Sequence, residues 1–424
     1  GPLQRVQLTP TMRSVLALGL VLGLAACSGA DGPPPPGEPT VVRVWHQKDA
    51  AERDFLEQWT ARYNASQDTV RLVLLYKETE ELRNHYVFAA VGNKGPDLFY
   101  GPADNIGTLA VTETARPLED VLPAAFLAGF DSTGLLRYGG HLLGVADQVG
   151  NHLTFVYNKA LLPTPPATLA ELDSLGATLT KDTDGDGQPD QYALTWNYTE
   201  PFFFVPFLTS FGGWVMDAEG NPTLDTPEMV RAIQYVLDLR DRHGVIPRES
   251  DYETANTLFR DGAAAAIING PWSWAGYGEA GVDYALAPIP RNTETGLWAQ
   301  PMAAAKSYSV NPAVPEWKLP TVLGVLQLLT GDAIQTQMAD RLATIPVRTA
   351  VRNGPVMQRN PILAQSLAQI AHSRPMPTEP QLRQIWDGMK GPYQLVMNGQ
   401  VTAEDGARMM QENAEKLISD TFME

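Results

Sequence analysis

The most constraining feature of this chain is an alternation of element types near its start. Val41 to Trp45 is β-rich and alternating, and Ala51 to Tyr63 then carries Phe55, Leu56, Trp59 and Tyr63 at helical spacing. Val70 to Leu75 reads as a second strand and Glu80 to Val91 as a second helix. Gly95-Pro96-Asp97 turns the chain into a third strand, Leu98 to Tyr100. Strands separated by helices need crossover connections, so the pattern predicts a parallel sheet covered by helices. In such sheets ligands sit beyond the carboxyl ends of the strands. Here those ends carry His46, Gln47 and Asp49, then Lys77 to Glu81, then Asp104 and Asn105.

At 424 residues, 44% of them hydrophobic, the chain is long enough for two such units. It is expected to leave the first between Ala146 and Thr154. Pro227 to His243 reads as a helix with Pro at its start and His-Gly at its end. Ala263 to Ile268 is an apolar run that reads as a buried strand, and Gly270-Pro271 stops it. Trp272 and Trp274 follow at spacing two. A Trp just past a strand end is placed to line a cleft with its ring face; the competing reading is that both indoles fill the core. Met302 to Val310 reads as a strand, and Trp317 to Leu329, Gln381 to Met397 and Thr402 to Ile418 read as helices. In the last, Ala407, Met410, Ala414 and Leu417 share one apolar face.

The formal net charge of -17 argues against nucleic acid, whose phosphates call for Lys and Arg. Gly1 to Thr11 reads as a cloning remnant or upstream extension. Met12 and Arg13 form a short basic region, and Val15 to Ala26 is an apolar run too short to span a bilayer. It ends in Leu24-Ala25-Ala26-Cys27, the pattern of a bacterial lipobox, which predicts acylation of Cys27. That cysteine is the only one in the chain, so no intramolecular disulfide forms. Ser28 to Pro39, with four consecutive prolines, reads as a semi-rigid tether. The expected organisation is a signal region over 1–27, a tether over 28–39, a first lobe over 40–150 and 303–350, and a second over 151–302 and 351–424.

Six segments carry a family resemblance when taken in order. They are Gly95-Pro96-Asp97, Tyr157-Asn158-Lys159 with Leu161-Leu162-Pro163, Glu200-Pro201-Phe202, Asn269-Gly270-Pro271-Trp272, Pro346-Val347-Arg348, and Met376-Pro377 running to Trp386. From Val41 to Ser419 the chain resembles the extracellular solute-binding proteins of ABC importers, in their maltose-binding, carbohydrate class. The resemblance implies a type II periplasmic-binding-protein-like α/β fold, with hinged lobes around a central cleft and no catalytic activity. It implies an aromatic platform of Phe202, Trp272 and Trp386, with Glu200 and Asp104 as ligand-bonding carboxylates. Asn105 and Lys390 stand where the family has arginines, Asn151 where it has a glutamate, and Gly101 where it has a tryptophan. These departures leave a sugar expected and maltose itself open. The chemistry agrees: aromatic rings cover the apolar face of a sugar, while carboxylates and amides take its hydroxyls. His46, Gln47 and Asp49 complete the expected ligand-binding set. The implied partners are a carbohydrate and the permease subunits of an ABC transporter, the implied location is extracytoplasmic with a lipid anchor, and the family default is a monomer.

Asp182-Thr183-Asp184-Gly185-Asp186-Gly187-Gln188-Pro189-Asp190 matches the first part of an EF-hand loop. Asp182, Asp184, Asp186, Gln188 and Asp190 are the expected ligands for a structural calcium ion. Position 12 is Ala193, so the usual bidentate glutamate is missing; the competing reading is an acidic, Gly-rich surface turn. Two other functions stay open at this level. One keeps the fold and binds a polyamine or a glycerophosphodiester. The other is a glycan-acting enzyme, for which Glu200 and Asp104 are nominal carboxylates but belong on different lobes, so their separation is not fixed.

Overall fold

The alternation near the start folds as its spacing requires. In the computed structural model, which describes residues 32–48 and 50–422, β1 (Thr40–His46) is followed by α1 (Ala50–Ser66), β2 (Val70–Tyr76), α2 (Thr79–Val91) and β3 (Leu98–Pro102). β1 pairs in parallel with both β2 and β3. Helix α3 (Asn105–Val111) follows, and then a hairpin of β4 (Leu135–Tyr138) and β5 (His141–Gly150). The signal region with Cys27, and also Asp49, lie outside the described residues.

A second sheet begins at β6 (Thr154–Asn158) and adds β7 (Tyr192–Thr195), β8 (Ala264–Asn269) and β9 (Tyr284–Ala287), in the order β7-β8-β6-β9. Between β7 and β8 lie α4 (Pro201–Ser210), α5 (Pro227–Asp241) and α6 (Tyr252–Arg260). Helix α5 shows how local chemistry sets an element. Thr226 caps it by accepting from the Met229 N–H at 3.2 Å, and Pro227 occupies the first turn, where no N–H is needed. Met229, Ala232, Ile233, Val236 and Leu239 form its buried face, and Gly244, at φ +59°, lets the chain turn away. Helix α4 is apolar almost all round and correspondingly buried, with Phe202 only half-buried.

The first sheet is mixed, not purely parallel. Strand β10 (Met302–Val310) inserts between β3 and β5 and runs antiparallel to both, giving the order β2-β1-β3-β10-β5-β4. The reason lies in where β10 comes from. It returns from the second lobe, so it enters the first sheet at the cleft edge, the end at which the parallel strands leave.

Each sheet has its own core. Val42, Val44, Leu98, Tyr100, Val145, Tyr308 and Leu326 belong to one; Phe155, Leu194, Phe204, Ile233, Ile267 and Met389 belong to the other. The chain passes between Val149 and Leu153, and again between Met302 and Ala303, where neighbouring residues join different cores. After α7 (Leu319–Leu329) the first core continues beyond the expected limit at residue 350. Val351, Val356, Met357 and Leu363 all pack in it, because short helices at 349–352 and 355–358 cover the first sheet. Helix α8 (Pro361–Ile370) then serves both lobes. Leu363 lies in the first core, while Gln365 and Gln369 accept from the Leu286 and Ile289 N–H groups of the second. A short strand, β11 (Arg374–Pro375), runs beside the start of β10, so the second and third crossings are hydrogen-bonded to each other. Helices α9 (Leu382–Met397) and α10 (Ala403–Phe422) close the second lobe; Ala407, Met410 and Ala414 are buried, and Leu417 is half-buried.

Candidate functional site

The second lobe presents a continuous line of aromatic side chains. Trp386, on α9, meets Phe202 edge-on, with ring centroids 6.5 Å apart at 72°. Phe202 contacts Phe203 at 5.6 Å, and Phe203 contacts Tyr252 at 6.2 Å. The Tyr252 hydroxyl accepts from Trp272 Nε1 at 2.8 Å. Glu200, at the N-terminus of α4, pairs with Lys390 one turn along α9 from Trp386, at 3.2 Å. Glu200, Phe202, Trp386 and Lys390 therefore come together directly, and Trp272 joins them through Tyr252. Side chains that combine flat apolar faces with a carboxylate and an ammonium suit a polyhydroxylated ligand.

The two tryptophans of the Pro271 turn part ways. Trp272 is 47% exposed, while Trp274 is 4% exposed and packs edge-on against His152. A buried polar knot fixes the turn. Asn269 Nδ2 donates to Tyr277 Oη at 2.9 Å and to Asn256 Oδ1 at 3.2 Å, and Asn269 Oδ1 accepts from the Gly270 N–H. Gly270 is required by space: a Cβ there would lie 2.2 Å from the six-membered ring of Trp272. The indole thus lies back over its own turn, with one face held and the other open.

The first lobe contributes loops at the carboxyl ends of its strands. Gln47 follows β1 and is half-buried; Asp104 is exposed at the start of α3. His46 and Asn105, expected on the ligand side, are turned inward, at 1% and 2% exposure. His46 stacks at a tilt on Tyr76, and burial followed by the charge of Lys48 lowers its pKa to about 4. The Asn105 amide occupies the space that a side chain at Gly101 would need; a Cβ there would lie 2.6 Å from its Nδ2. Asn151 is exposed in the first crossing, with φ +57°.

Beneath these loops is a charged network that the sequence did not reveal. Lys48 and Asp147 form an ion pair of 2.8 Å at 3% and 1% side-chain exposure. Tyr100 Oη donates to Asp147 Oδ1 at 2.7 Å, and Gln148 links Tyr100 to Glu52. Burial raises the Asp147 pKa despite Lys48. Burial also works against the charge on Glu52, but Lys48 and Lys306 outweigh it, and its pKa lies below the ordinary value. Lys48 follows Gln47 directly, and only the tertiary fold shows that it points into the protein. Tyr252 and Phe203 were missed as well. The available signal was Asp251, a helix cap accepting from the Thr254 N–H at 2.7 Å, which makes Tyr252 the first residue of a helix.

The aspartate loop lies apart, in the exposed turn before β7. Oxygens of Asp182, Asp184 and Asp190 lie within 4.8 Å of one another, a hard-oxygen set that fits a calcium ion. Asp182 accepts from the Gly187 and Gly185 N–H groups, and these bonds lower its pKa. Asp186 is not in the gathered set; its Oδ1 accepts from the Gln188 N–H at 2.8 Å. Ala193, at position 12, is fully buried and has no ligand oxygen on its side chain.

Two α/β lobes linked by several crossings, one with an aromatic platform and the other with polar loops, define a hinged solute-binding receptor. The chain belongs to the bacterial extracellular solute-binding protein family, whose model matches residues 58–365. It is 25% identical to the maltotriose-binding protein of Pyrococcus abyssi, over 82% of this chain and 76% of that one. A maltooligosaccharide ABC transporter solute-binding lipoprotein of Streptococcus pneumoniae is 24% identical, over 97% of each chain. Among solved structures, the maltose/maltodextrin-binding domain MalE of Bdellovibrio bacteriovorus, bound to maltotriose, superposes with a TM-score of 0.74 at 37% identity, covering 90% of this chain and all of that one. Among the described residues no helix is long and apolar enough to cross a membrane.

Proposed function

We propose that this protein captures a maltose-like or longer oligosaccharide outside the cytoplasm and delivers it to the permease of an ABC transporter. The observation that carries the reading is the aromatic line from Trp386 through Phe202, Phe203 and Tyr252 to Trp272, with Glu200 and Lys390 at its edge. Sugar rings lie on the exposed faces of Trp272 and Trp386, and Glu200 takes their hydroxyls. Gln47 and Asp104 meet the ligand from the first lobe. Ligand touching both lobes favours the closed form, since only differential affinity shifts such an equilibrium. The lobes swing about the crossings near 150–152, 302–303 and 371–375. The protein acts as a binding monomer, not as a catalyst.

Two further readings belong with it. Cys27 is acylated, and the Pro-rich tether holds the folded part off the membrane. Asp182, Asp184 and Asp190 hold a calcium ion that fixes the loop before β7, away from the sugar. The fit of three gathered carboxylates supports this.

Calorimetric titration with maltose, maltotriose and maltotetraose tests the function. Trp272→Ala and Trp386→Ala are each expected to weaken binding severely while the unliganded melting point holds. Unchanged affinity in both variants overturns the site.

A further inference from the structure

A second cavity, of about 310 Å³, lies at the far end of α4 from Glu200. A ten-residue helix is about 15 Å long, so the cavity is separate from the aromatic platform. Thr209, Leu297, Trp298, Gln300 and Arg374 line it, together with glycines 212, 213 and 296.

Thr209 is tied to the backbone, whereas the side chains of Arg374 and Gln300 form no hydrogen bond with the described residues. The Arg374 guanidinium lies 3.8 Å from the centre of the Trp214 ring and has no carboxylate within ion-pair reach among the described residues. The residue is exposed, and its partial burial lowers its pKa. Arg291, 5.9 Å from the Trp298 ring, also has no carboxylate among the described residues and stands beside Gly296. The Gln300 side-chain amide forms no hydrogen bond with the described residues, although its backbone is pinned on both sides to Thr209 Oγ1. Trp298 is held as a fixed wall, because His372 stacks on it at 3.8 Å and 10°.

We propose that this cavity binds a small sugar-like carboxylate of hexuronate size. The planar fork of Arg374, pre-oriented by Trp214, takes the carboxylate in bidentate fashion. The ring of Trp298 covers the apolar face of the ligand, and the Gln300 amide takes its hydroxyls. The volume is at the small end of ligand pockets and suits a single sugar ring. Such a ligand bridges α4, the residues just before β10, and β11, and so sits at the second-lobe root of two crossings.

The test is titration of the purified protein with glucuronate, with glucose and inorganic phosphate as comparators. Wild type, Arg374→Ala, Arg374→Lys and Trp272→Ala are measured, and maltotriose affinity checks the fold of each Arg374 variant. Glucuronate is expected to bind wild type and Trp272→Ala alike. Arg374→Ala is expected to weaken it at least about ten-fold, the scale of a charge-assisted pair, with Arg374→Lys in between. Absence of glucuronate binding to wild type overturns the proposal. So does glucuronate binding that is lost with Trp272 and kept without Arg374, which places it in the main cleft. Phosphate binding as tightly as glucuronate overturns the sugar-like class.

Discussion

Replacing Gly270 by Ala tests the platform without removing any group that touches ligand. The backbone there, at φ -104° and ψ 178°, accepts an L side chain, so no conformational strain is introduced. The conflict is spatial: the new methyl carbon would lie 2.2 Å from two ring atoms of Trp272. That ring is 47% exposed, and the hydrogen bond from its Nε1 to Tyr252 is the tie that a swing would break. The indole is therefore expected to rotate outward. Losing one stacked face forfeits about half the 1.5–3 kcal/mol of a fully buried large side chain, about 1 kcal/mol, which weakens binding about five-fold. The tie to Tyr252 is broken in the free protein as well, so its loss falls on folding, at about 1 kcal/mol, and not on binding. Calorimetric titration with maltotriose beside a melting curve of the free protein separates the two effects. Wild-type affinity in Gly270→Ala, with Trp272→Ala still impaired, would falsify the idea that the turn aims the indole. A large fall in melting temperature would show instead that the methyl strikes something that cannot move.

Three other outcomes are expected. His46 and His152 are buried, and burial lowers their pKa values to about 4 and about 3, so the unfolded chain binds protons that the folded one refuses. Stability should accordingly fall as pH drops from about 6.5 toward 4, by about 1.4 kcal/mol per histidine at pH 5.5, and urea midpoints at pH 7.5 and 5.5 measure it. A midpoint unchanged between the two would show that these rings protonate freely. Asp147→Asn leaves Lys48 charged and unpaired in the interior and should cost about 3 kcal/mol or more, read from the denaturant midpoint. Calcium should raise the melting temperature of wild type and leave that of Asp182→Ala unmoved, with sugar affinity equal in both; an equal shift in both proteins removes the loop as its site.

Much of the fold was legible because its information is local. The β1-α1-β2-α2-β3 series, the Thr226-Pro227 start of α5 and the limits of β10 follow from periodicity and caps within a few residues of each element. What was illegible depends on distant partners. The antiparallel insertion of β10 pairs residues such as Tyr100 and Tyr308, and no short window contains both. The continuation of the first core through Leu363 depends on how helices after residue 350 drape over a sheet built long before. The same limit applies at the site. Trp272 could be read because a turn isolates it from its strand. Tyr252 could not, since its role comes from a hydrogen bond to an indole in another element. His46 is the last residue of β1 and shares the buried face of Val42 and Val44, so ending the strand at Trp45 hid its direction; Asn105 lies past the end of β3, where strand alternation no longer applies.

The position of β10 also governs when the molecule can come to rest. Its register with β3 joins residues about two hundred apart, and everything between them must be synthesised first. The second core is no earlier, since Met389, Tyr393 and Met410 arrive near the end of the chain. Neither half can close on the ribosome while its own partner segments are still missing. A polypeptide bound for the outside of the cell thus emerges with both cores unfinished; the first is complete only after Leu363, and the second only with the last helices.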